Sequence, residues 1–278
     1  MNEPIVIGAV AYSPNVVPIW EGMRDYFRTT GPAIDYVLFS NYDAQVRALF
    51  TGHIHIAWNT NLAWAKVKLR AGLACKALAM RDADIGFTTV LAVREGSGIA
   101  APGDLRGKRV ALGSADSVQA AILPRHYMAQ AGVVPENDCT LLKFDLDVGK
   151  HGDTGTSELE VLRALREGEA DAGFLATSTW KAQVAKGAMA DSTVKVVWTS
   201  PGYCHCNFTA LATFPDDLSN RWTQALLQMK FEDPCWRPVM ELEGVRRWVS
   251  ADAIILHGYD SLMQAIHAQG LVKQWSER

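Results

Sequence analysis

A helix, a turn and a buried strand follow one another between Asn41 and Trp64, and this order constrains the fold more than any other part of the chain. Apolar residues with helical spacing indicate the helix, namely Val46, Leu49 and Phe50. Gly52 is typical of a helix end. Apolar residues in alternation then indicate the strand, namely Ile54, Ile56 and Trp58. A helix followed at once by a buried strand favours an α/β architecture.

Three polar residues, Asn59, Thr60 and Asn61, come directly after this strand. Open α/β sheets bind their ligands at the carboxyl ends of the strands. Side-chain amides and hydroxyls both donate and accept hydrogen bonds, so they suit a small polar ligand. We therefore expect Asn59 in a ligand site. The alternative is a turn in which an Asn caps the next helix.

The same alternation of strands and helices continues along the chain. Strands are predicted at 5–10, 34–39, 89–93, 109–112, 140–144, 170–175, 194–198 and 208–212. Helices are predicted between them, including 18–26, 118–131 and 157–166, and over most of the chain beyond the last strand. This order predicts a largely parallel α/β protein with two lobes. Residues 1–88 and 204–278 would form the first lobe, and residues 89–203, with the hinge strands, the second.

Composition excludes several classes of protein. Lys and Arg total 27 against 30 Asp and Glu, so the net charge of -3 gives no reason to expect nucleic acid as a partner. No apolar run approaches the ~20 residues that a membrane span needs, so we expect no membrane insertion. The first residues lack the basic region of an export signal, and the five cysteines lack a disulfide framework. We therefore expect a cytoplasmic protein as the sequence stands, or a periplasmic one if a leader has been removed.

Two loops that precede helices are predicted to bind an anion. In the first, Ser114 and Ser117 add hydroxyl donors to the free N–H groups of a helix start. Asp116 lies between them, either as a helix cap or as a ligand contact. In the second loop, residues 150–158, His151 can carry positive charge toward an anion, and Asp153 lies close to it.

Cys204, His205 and Cys206 stand in consecutive positions. Thiolate and imidazole ligands favour zinc, copper(I) or a metalloid. Alternate residues of a strand share one face, so we expect Cys204 and Cys206 to converge. Buried, inert cysteines are the alternative interpretation. One aromatic residue, Tyr12, is a further candidate for a ligand cleft, because it follows the first predicted strand.

The chain resembles the phosphonate-binding proteins that serve ABC importers. The resemblance rests on Tyr42, Gly52, Ile56–Trp58 and Asn61–Leu62, on the run from Ser117 to Tyr127, and on Ser200–Pro201. It extends over about residues 5–210. It implies the type 2 periplasmic-binding-protein fold, in which two α/β lobes are joined by two hinge strands. One small ligand is then held in a cleft between the lobes by hinge closure.

The resemblance also implies roles for individual residues. A Ser-Thr pair at a helix start holds the phosphonate oxygens in this family; Ser117 matches the Ser, whereas Val118 replaces the Thr. A loop His contacts the anion, which places His151 in the site, and Tyr42 matches a ligand-facing Tyr. Two family acids that read the amine of a ligand fall near Cys206 and Ser178. An aminoalkylphosphonate is therefore not the expected ligand.

These observations predict a solute-binding protein for an ABC-type transport system. Its partners would be a small anionic ligand and the membrane subunits of a transporter, and no cofactor is expected. One alternative is a cytoplasmic enzyme on the same fold, with His151, Asp153, His205 and Cys206 near one cleft. Another is a metal or metalloid sensor that uses Cys204 or Cys206.

Overall fold

The computed structural model describes residues 3–190, 193–251 and 256–276. The chain forms two compact units, and each is built from two separate stretches of sequence. The first unit comprises Met1–Gly86 and Cys204–Asp260, and the second comprises Phe87–Tyr203 and Ser261–Arg278. The C-terminal stretch therefore groups with the second unit, whereas the sequence assigned it to the first lobe.

The elements of the first unit are β1 (Ile5–Val10), α1 (Val16–Thr30), β2 (Ile34–Phe39), α2 (Tyr42–Phe50), β3 (Ile56–Asn59), α3 (Asn61–Ala71) and β4 (Cys75–Arg81). Those of the second unit are β5 (Thr89–Arg94), β6 (Arg109–Leu112), α4 (Leu123–Gln130), α5 (Pro135–Asp138), β7 (Thr140–Lys143), α6 (Thr156–Glu167), β8 (Ala172–Ala176), α7 (Thr177–Ala185) and β9 (Val194–Thr199). The chain then returns to the first unit with β10 (Asn207–Leu211), α8 (Asp216–Leu227), α9 (Arg237–Glu243) and β11 (Trp248–Ser250). It ends with α10 (Asp260–Ala268) and α11 (Leu271–Ser276).

The described strands of the first unit form one six-stranded sheet in the order β11-β4-β10-β3-β1-β2. β1 pairs in parallel with β2 and β3, whereas β10 runs antiparallel to both β3 and β4. The sheet is thus mixed, and the expectation of a largely parallel architecture was wrong. The reason is that β10 enters from the second unit, so its direction is not set by a helical crossover of the kind that makes neighbouring strands parallel.

Large aromatic side chains fill the core of the first unit. The Trp222 ring stacks on Phe27 at 5.7 Å and meets Phe208 edge-on at 4.8 Å. Phe208 also lies 4.4 Å from the Trp58 ring. Phe208 belongs to β10 and Trp58 to β3, so the returning strand contributes directly to this core. Edge-on and offset ring pairs of this kind add stabilisation beyond the apolar area they bury.

The described strands of the second unit form a five-stranded sheet in the order β7-β6-β8-β5-β9. β6 pairs in parallel with β7 and β8, and β5 runs antiparallel to β8 and β9. Next to β5, Phe87 and Tyr203 exchange two backbone hydrogen bonds of 2.8 Å. This pair lies at the point where the chain enters and leaves the second unit.

Candidate functional site

The polar end of β3 is organised by a pair of buried amides. Gln45, on α2, donates from Nε2 to the Trp58 carbonyl and to Asn59 Oδ1, both at 2.9 Å. Asn59 Nδ2 is buried and makes no hydrogen bond within the part of the chain that the structure describes. Thr60, rather than an Asn, caps α3, because its hydroxyl accepts from the Ala63 N–H. Asn59 therefore keeps a donor that is not used by the fold.

The two candidate tyrosines differ in burial. Tyr42 is the first residue of α2 and is fully buried. Tyr12 follows β1, is half-buried and packs against the apolar core of the first unit. Tyr12 thus follows the first strand, as predicted. The part of both tyrosines in binding a ligand stays a prediction.

An ion pair buried in the first unit was not found from the sequence. Arg81, the last residue of β4, donates from Nε to Asp84 Oδ2 at 2.6 Å and from Nη2 to Asp84 Oδ1 at 2.8 Å. Burial alone would raise the pKa of Asp84, but the charge and hydrogen bonds of Arg81 outweigh it and hold this pKa well below its usual range. The Arg81 guanidinium also lies over the Trp58 ring at 5.3 Å. Asp84 is thus a fully ionised group inside the protein.

His205 and Cys206 converge on this carboxylate. His205 Nδ1 lies 3.4 Å from Asp84 Oδ1 and 3.0 Å from Cys206 Sγ. All three side chains are buried. The carboxylate oxygen, the ring nitrogen and the sulfur lie within 4.8 Å of one another. Among the described residues, this is the group of three side chains that could hold a metal ion.

Cys204 does not take part in this group, contrary to the expectation that it would converge with Cys206. The segment that holds both cysteines precedes β10 and is not a strand, so the alternation of a strand does not apply. A Cβ added to Gly258 would lie 2.4 Å from Cys204 Sγ, which places this sulfur against Gly258. Burial, with the nearby Asp84 charge, raises the pKa of Cys204 to about 11. Cys204 is therefore a protonated, buried thiol.

The geometry at His205 differs from that of a catalytic relay. In a nucleophile–His–acid relay, one ring nitrogen faces the nucleophile and the other faces the acid. Here the same nitrogen, Nδ1, faces both Cys206 Sγ and Asp84 Oδ1.

In the second unit, Ser117 stands at the start of an unusual helical turn. Val118–Ile122 forms a short π-helix, hereafter the π-turn, which continues directly into α4. The Ser117 carbonyl accepts from the N–H groups of both Ala121 and Ile122 at 3.0 Å. The Ser117 hydroxyl accepts from the Ala120 N–H at 3.2 Å. The predicted α-helix is therefore wider in its first turn, a feature that occurs often at functional sites.

The loop before α6 packs closely onto this turn. A Cβ added to Gly152 would lie 2.5 Å from Ser117 Oγ and 2.8 Å from Gln119 Nε2, so only glycine allows this approach. His151, next to it, is buried and has a φ of 55°, which is uncommon for a residue other than glycine. The two loops predicted to bind an anion therefore meet, and they bring Ser117 and His151 into one corner of the second unit.

Hydrogen bonds to Asp116 connect the two loops. Ser114 Oγ donates to Asp116 Oδ1 at 2.6 Å, and the Gly149 N–H donates to Asp116 Oδ2 at 2.5 Å. Asp116 is therefore not the helix cap, because its two oxygens accept hydrogen bonds from Ser114 and Gly149. The cap of this helix is Ser117. Asp153, which we predicted as a ligand contact, is half-buried in the second loop.

Two buried polar side chains in this corner were not selected from the sequence. Ser157, the second residue of α6, lies next to Gly113: a Cβ added to Gly113 would be 3.0 Å from Ser157 Oγ. Ser157 Oγ and Gln119 Oε1 are both buried without a hydrogen bond in the described ranges. Such groups are rare in folded proteins and point to a missing partner. The sequence signal for Ser157 is its position at a predicted helix start, where a serine is also typical of a helix cap.

Comparison with known proteins places these features in a family. A family of proteins described as the periplasmic substrate-binding protein of a phosphonate ABC transporter matches residues 7–254. A curated relative, the probable ABC transporter phosphite binding protein PhnD1 of Prochlorococcus marinus (strain MIT 9301), is 21% identical over 230 residues. The alignment covers 79% of this chain and 74% of that protein.

Solved structures show the same fold. PhnD1 of Prochlorococcus marinus in complex with methylphosphonate has a TM-score of 0.73 and 18% identity, and the match covers 96% of this chain and 99% of that one. The Xanthomonas citri protein XAC2383 bound to ATP has a TM-score of 0.75 and 17% identity, covering 96% and 98%. The aliphatic sulphonate binding protein SsuA of Escherichia coli has a TM-score of 0.63 and 15% identity, covering 98% and 94%. In the described residues, no helix is long and apolar enough to cross a membrane.

Proposed function

We propose that this chain captures a small anion of the phosphonate or oxyanion class for an ABC transport system. The chain belongs to the family of periplasmic substrate-binding proteins of phosphonate ABC transporters. The observation that carries the proposal is the corner of the second unit where Ser117, His151 and Ser157 lie buried together. Its partners would then be the anion and the membrane subunits of the transporter, in the periplasm.

The chemistry of this corner suits a tetrahedral anion. The Ser117 oxygen already accepts a hydrogen bond from Ala120, so its O–H is directed elsewhere and can donate to a ligand oxygen. The Ser157 hydroxyl can donate as well. The N–H groups of Val118 and Gln119 precede the first hydrogen bonds of the π-turn and belong to the positive end of the helix. The oxygens of a phosphonate anion are hydrogen-bond acceptors, so they match these hydroxyl and N–H donors.

The proposal also limits the ligand. One family acid that reads an amine falls near Cys206, and the Cys206 thiol is buried beside His205. The second family acid falls near Ser178, which is exposed at the start of α7. Neither residue offers a carboxylate to a ligand ammonium. We therefore expect simple anions to bind more tightly than aminoalkylphosphonates.

Isothermal titration calorimetry with methylphosphonate, phosphite, phosphate and an aminoalkylphosphonate tests the proposal. At least one of the first three should bind, and Ser117→Ala should weaken that binding by about 1–3 kcal/mol through the lost donor. Ser117→Ala also removes a helix cap, so a control with a similar loss of stability is needed.

Asp104→Ala supplies this control. Asp104 is exposed in the same unit, and its Oδ2 accepts from the N–H groups of Ala100 and Ala101. Its loss should lower stability without changing affinity for the anion. Absence of binding by all four anions would overturn the proposed function. Equal affinities of the wild type and Ser117→Ala would remove Ser117 from the site.

A further inference from the structure

We propose that Asp84, His205 and Cys206 form a binding site for a divalent cation of the zinc type. The proposal concerns the first unit alone and goes beyond the capture of an anion. It rests on one carboxylate oxygen, one ring nitrogen and one sulfur that all lie within 4.8 Å of one another. Each of the three side chains is buried.

The donor set and its spacing suit a tetrahedral ion. Zinc binds sulfur at about 2.3 Å and nitrogen or oxygen at about 2.0–2.2 Å, so tetrahedral ligands lie roughly 3.3–3.6 Å apart, and a sulfur–nitrogen pair lies at the upper end of that range. His205 Nδ1 and Asp84 Oδ1 are 3.4 Å apart. His205 Nδ1 and Cys206 Sγ are 3.0 Å apart, so these two atoms must move apart by about 0.5 Å to admit the ion. Three protein ligands leave the fourth position for water or another oxygen ligand.

Arg81 orients the carboxylate without using all of its acceptor sites. The guanidinium donates one hydrogen bond to each oxygen of Asp84. A carboxylate oxygen has two lone pairs, so Asp84 Oδ1 retains one for the ion. Carboxylates that bind metals are commonly hydrogen-bonded in this way by a second layer of residues.

Two carboxylates lie beside the Arg81 guanidinium. Arg81 donates to both oxygens of Asp84, and its Nη1 lies 3.4 Å from Glu243 Oε1. A cation bound by Asp84 would therefore lie next to buried carboxylate charge, which favours a positive ion. Buried charges are tolerated best when they are paired in this way.

The backbone holds the ligands in place before any ion arrives. The His205 N–H donates to the Asp84 carbonyl at 2.9 Å, which fixes the two segments against each other. The Tyr259 hydroxyl donates to the His205 carbonyl at 2.9 Å, and the Cys204 N–H donates to the Gly258 carbonyl at 2.9 Å. Sites whose ligands are held by such contacts need little rearrangement to bind.

Metal titration of the purified, chelator-treated protein tests the proposal. Zn²⁺ should bind with a stoichiometry of one ion per chain, measured by mass spectrometry of the metal content after gel filtration. Co²⁺ in its place should give a thiolate-to-cobalt charge-transfer band and the visible bands of a tetrahedral ion. Cys206→Ser should abolish the charge-transfer band and the bound zinc.

Cys204→Ser is the matched control, because this buried thiol is two residues away and its sulfur lies against Gly258. It should retain both the zinc and the cobalt spectrum. Circular dichroism and urea unfolding verify that both variants are folded, and His205→Gln provides a second test if Cys206→Ser is not. Failure of the wild type to bind one Zn²⁺, or unchanged binding by Cys206→Ser, would overturn the proposal. No phosphonate is present, so the outcome is independent of the anion experiment.

Discussion

Asp84 ties together residues that are far apart in the sequence, since it contacts Arg81 at one end of β4 and His205 more than a hundred residues later. Its ionised state depends on Arg81, because burial by itself opposes the charge. The two residues should therefore be strongly coupled in the stability of the first unit.

Asp84→Asn should lower the free energy of unfolding by about 3–5 kcal/mol, because it leaves the Arg81 charge buried beside a neutral amide. The double variant Arg81→Leu/Asp84→Asn should lose less than the sum of the two single variants. Urea unfolding of the four proteins measures the coupling. Strictly additive losses would contradict a coupled pair.

A second residue-scale expectation concerns pH. His126, on α4, is buried, and burial lowers its pKa below the ordinary value of about 6.5. The unfolded chain therefore takes up a proton more readily than the folded protein, so stability falls as the pH drops below about 6.5. His126→Gln should flatten the fall of the thermal midpoint between about pH 7 and pH 5. His267→Gln, at an exposed position of α10, should leave that slope unchanged.

At this scale, the sequence identified Ser117, His151, His205 and Cys206 as chemically notable, because each lies in a polar or cysteine-rich segment next to a predicted element. It missed Asp84, Ser157 and Gln119. Their importance depends on which distant segment they meet, and on whether a polar atom is left without a bond. Local patterns carry neither kind of information.

In the second unit, the loop before α6 packs against the start of the π-turn, and this contact between elements shapes the candidate site. Gly152 permits their approach, since its missing side chain leaves room for Ser117 and Gln119. Gly155 offers a comparison in the same loop. It also has a positive φ, 69° against 85° for Gly152, but a Cβ there would meet nothing within 4 Å.

Alanine at either glycine should cost roughly 1–2 kcal/mol of stability, because both backbones lie in the left-handed region. Gly152→Ala should in addition displace Ser117 and weaken anion binding at least about tenfold, or 1.4 kcal/mol. Gly155→Ala should bind as the wild type does. Calorimetry with the anion that the wild type binds, together with thermal unfolding, separates the two effects. Equal affinities of the two variants would mean that the close approach does not shape the site.

Elements with a clear local sequence pattern were predicted with accurate bounds, whereas strands that depend on distant partners were missed. β1, β2 and β6 have the predicted bounds, because each is a short apolar run with turn residues on both sides. β4 and β11 were not predicted. They pair antiparallel with each other, and β4 also pairs with β10, so their strand character depends on distant partners rather than on local periodicity.

At the scale of the whole molecule, the C-terminal segment contributes to the stability of the second unit, although it is far from the rest of that unit in the sequence. Ser261–Arg278 belongs to the second unit, and α10 buries Leu262, Ala265 and Ile266. Gln269 Nε2 donates to the Ile122 carbonyl at 2.9 Å, which attaches this segment to the π-turn.

A chain that ends at Asp260 should therefore have a less stable second unit. Loss of the buried Leu and Ile side chains alone removes about 3–6 kcal/mol of apolar burial. Hydrogen exchange should accelerate at the amides of the π-turn and α4 while the sheet of the first unit keeps its protection. A chain that ends at Gly270 retains α10 and is the control. Uniform protection in both truncated chains would contradict this role of the segment.

The place of β10 between β3 and β4 has a consequence for synthesis on the ribosome. The first 86 residues emerge early, but two of their strands lack a neighbour until residue 211 has left the exit tunnel. Until then the edges of β3 and β4 expose unpaired backbone groups, which are templates for aggregation. The strands described for the second unit are all complete before β10 is made. We therefore expect the sheet of the first unit to finish folding only after the sheet of the second unit has begun to fold. Nascent chains should be most prone to aggregate between these two events.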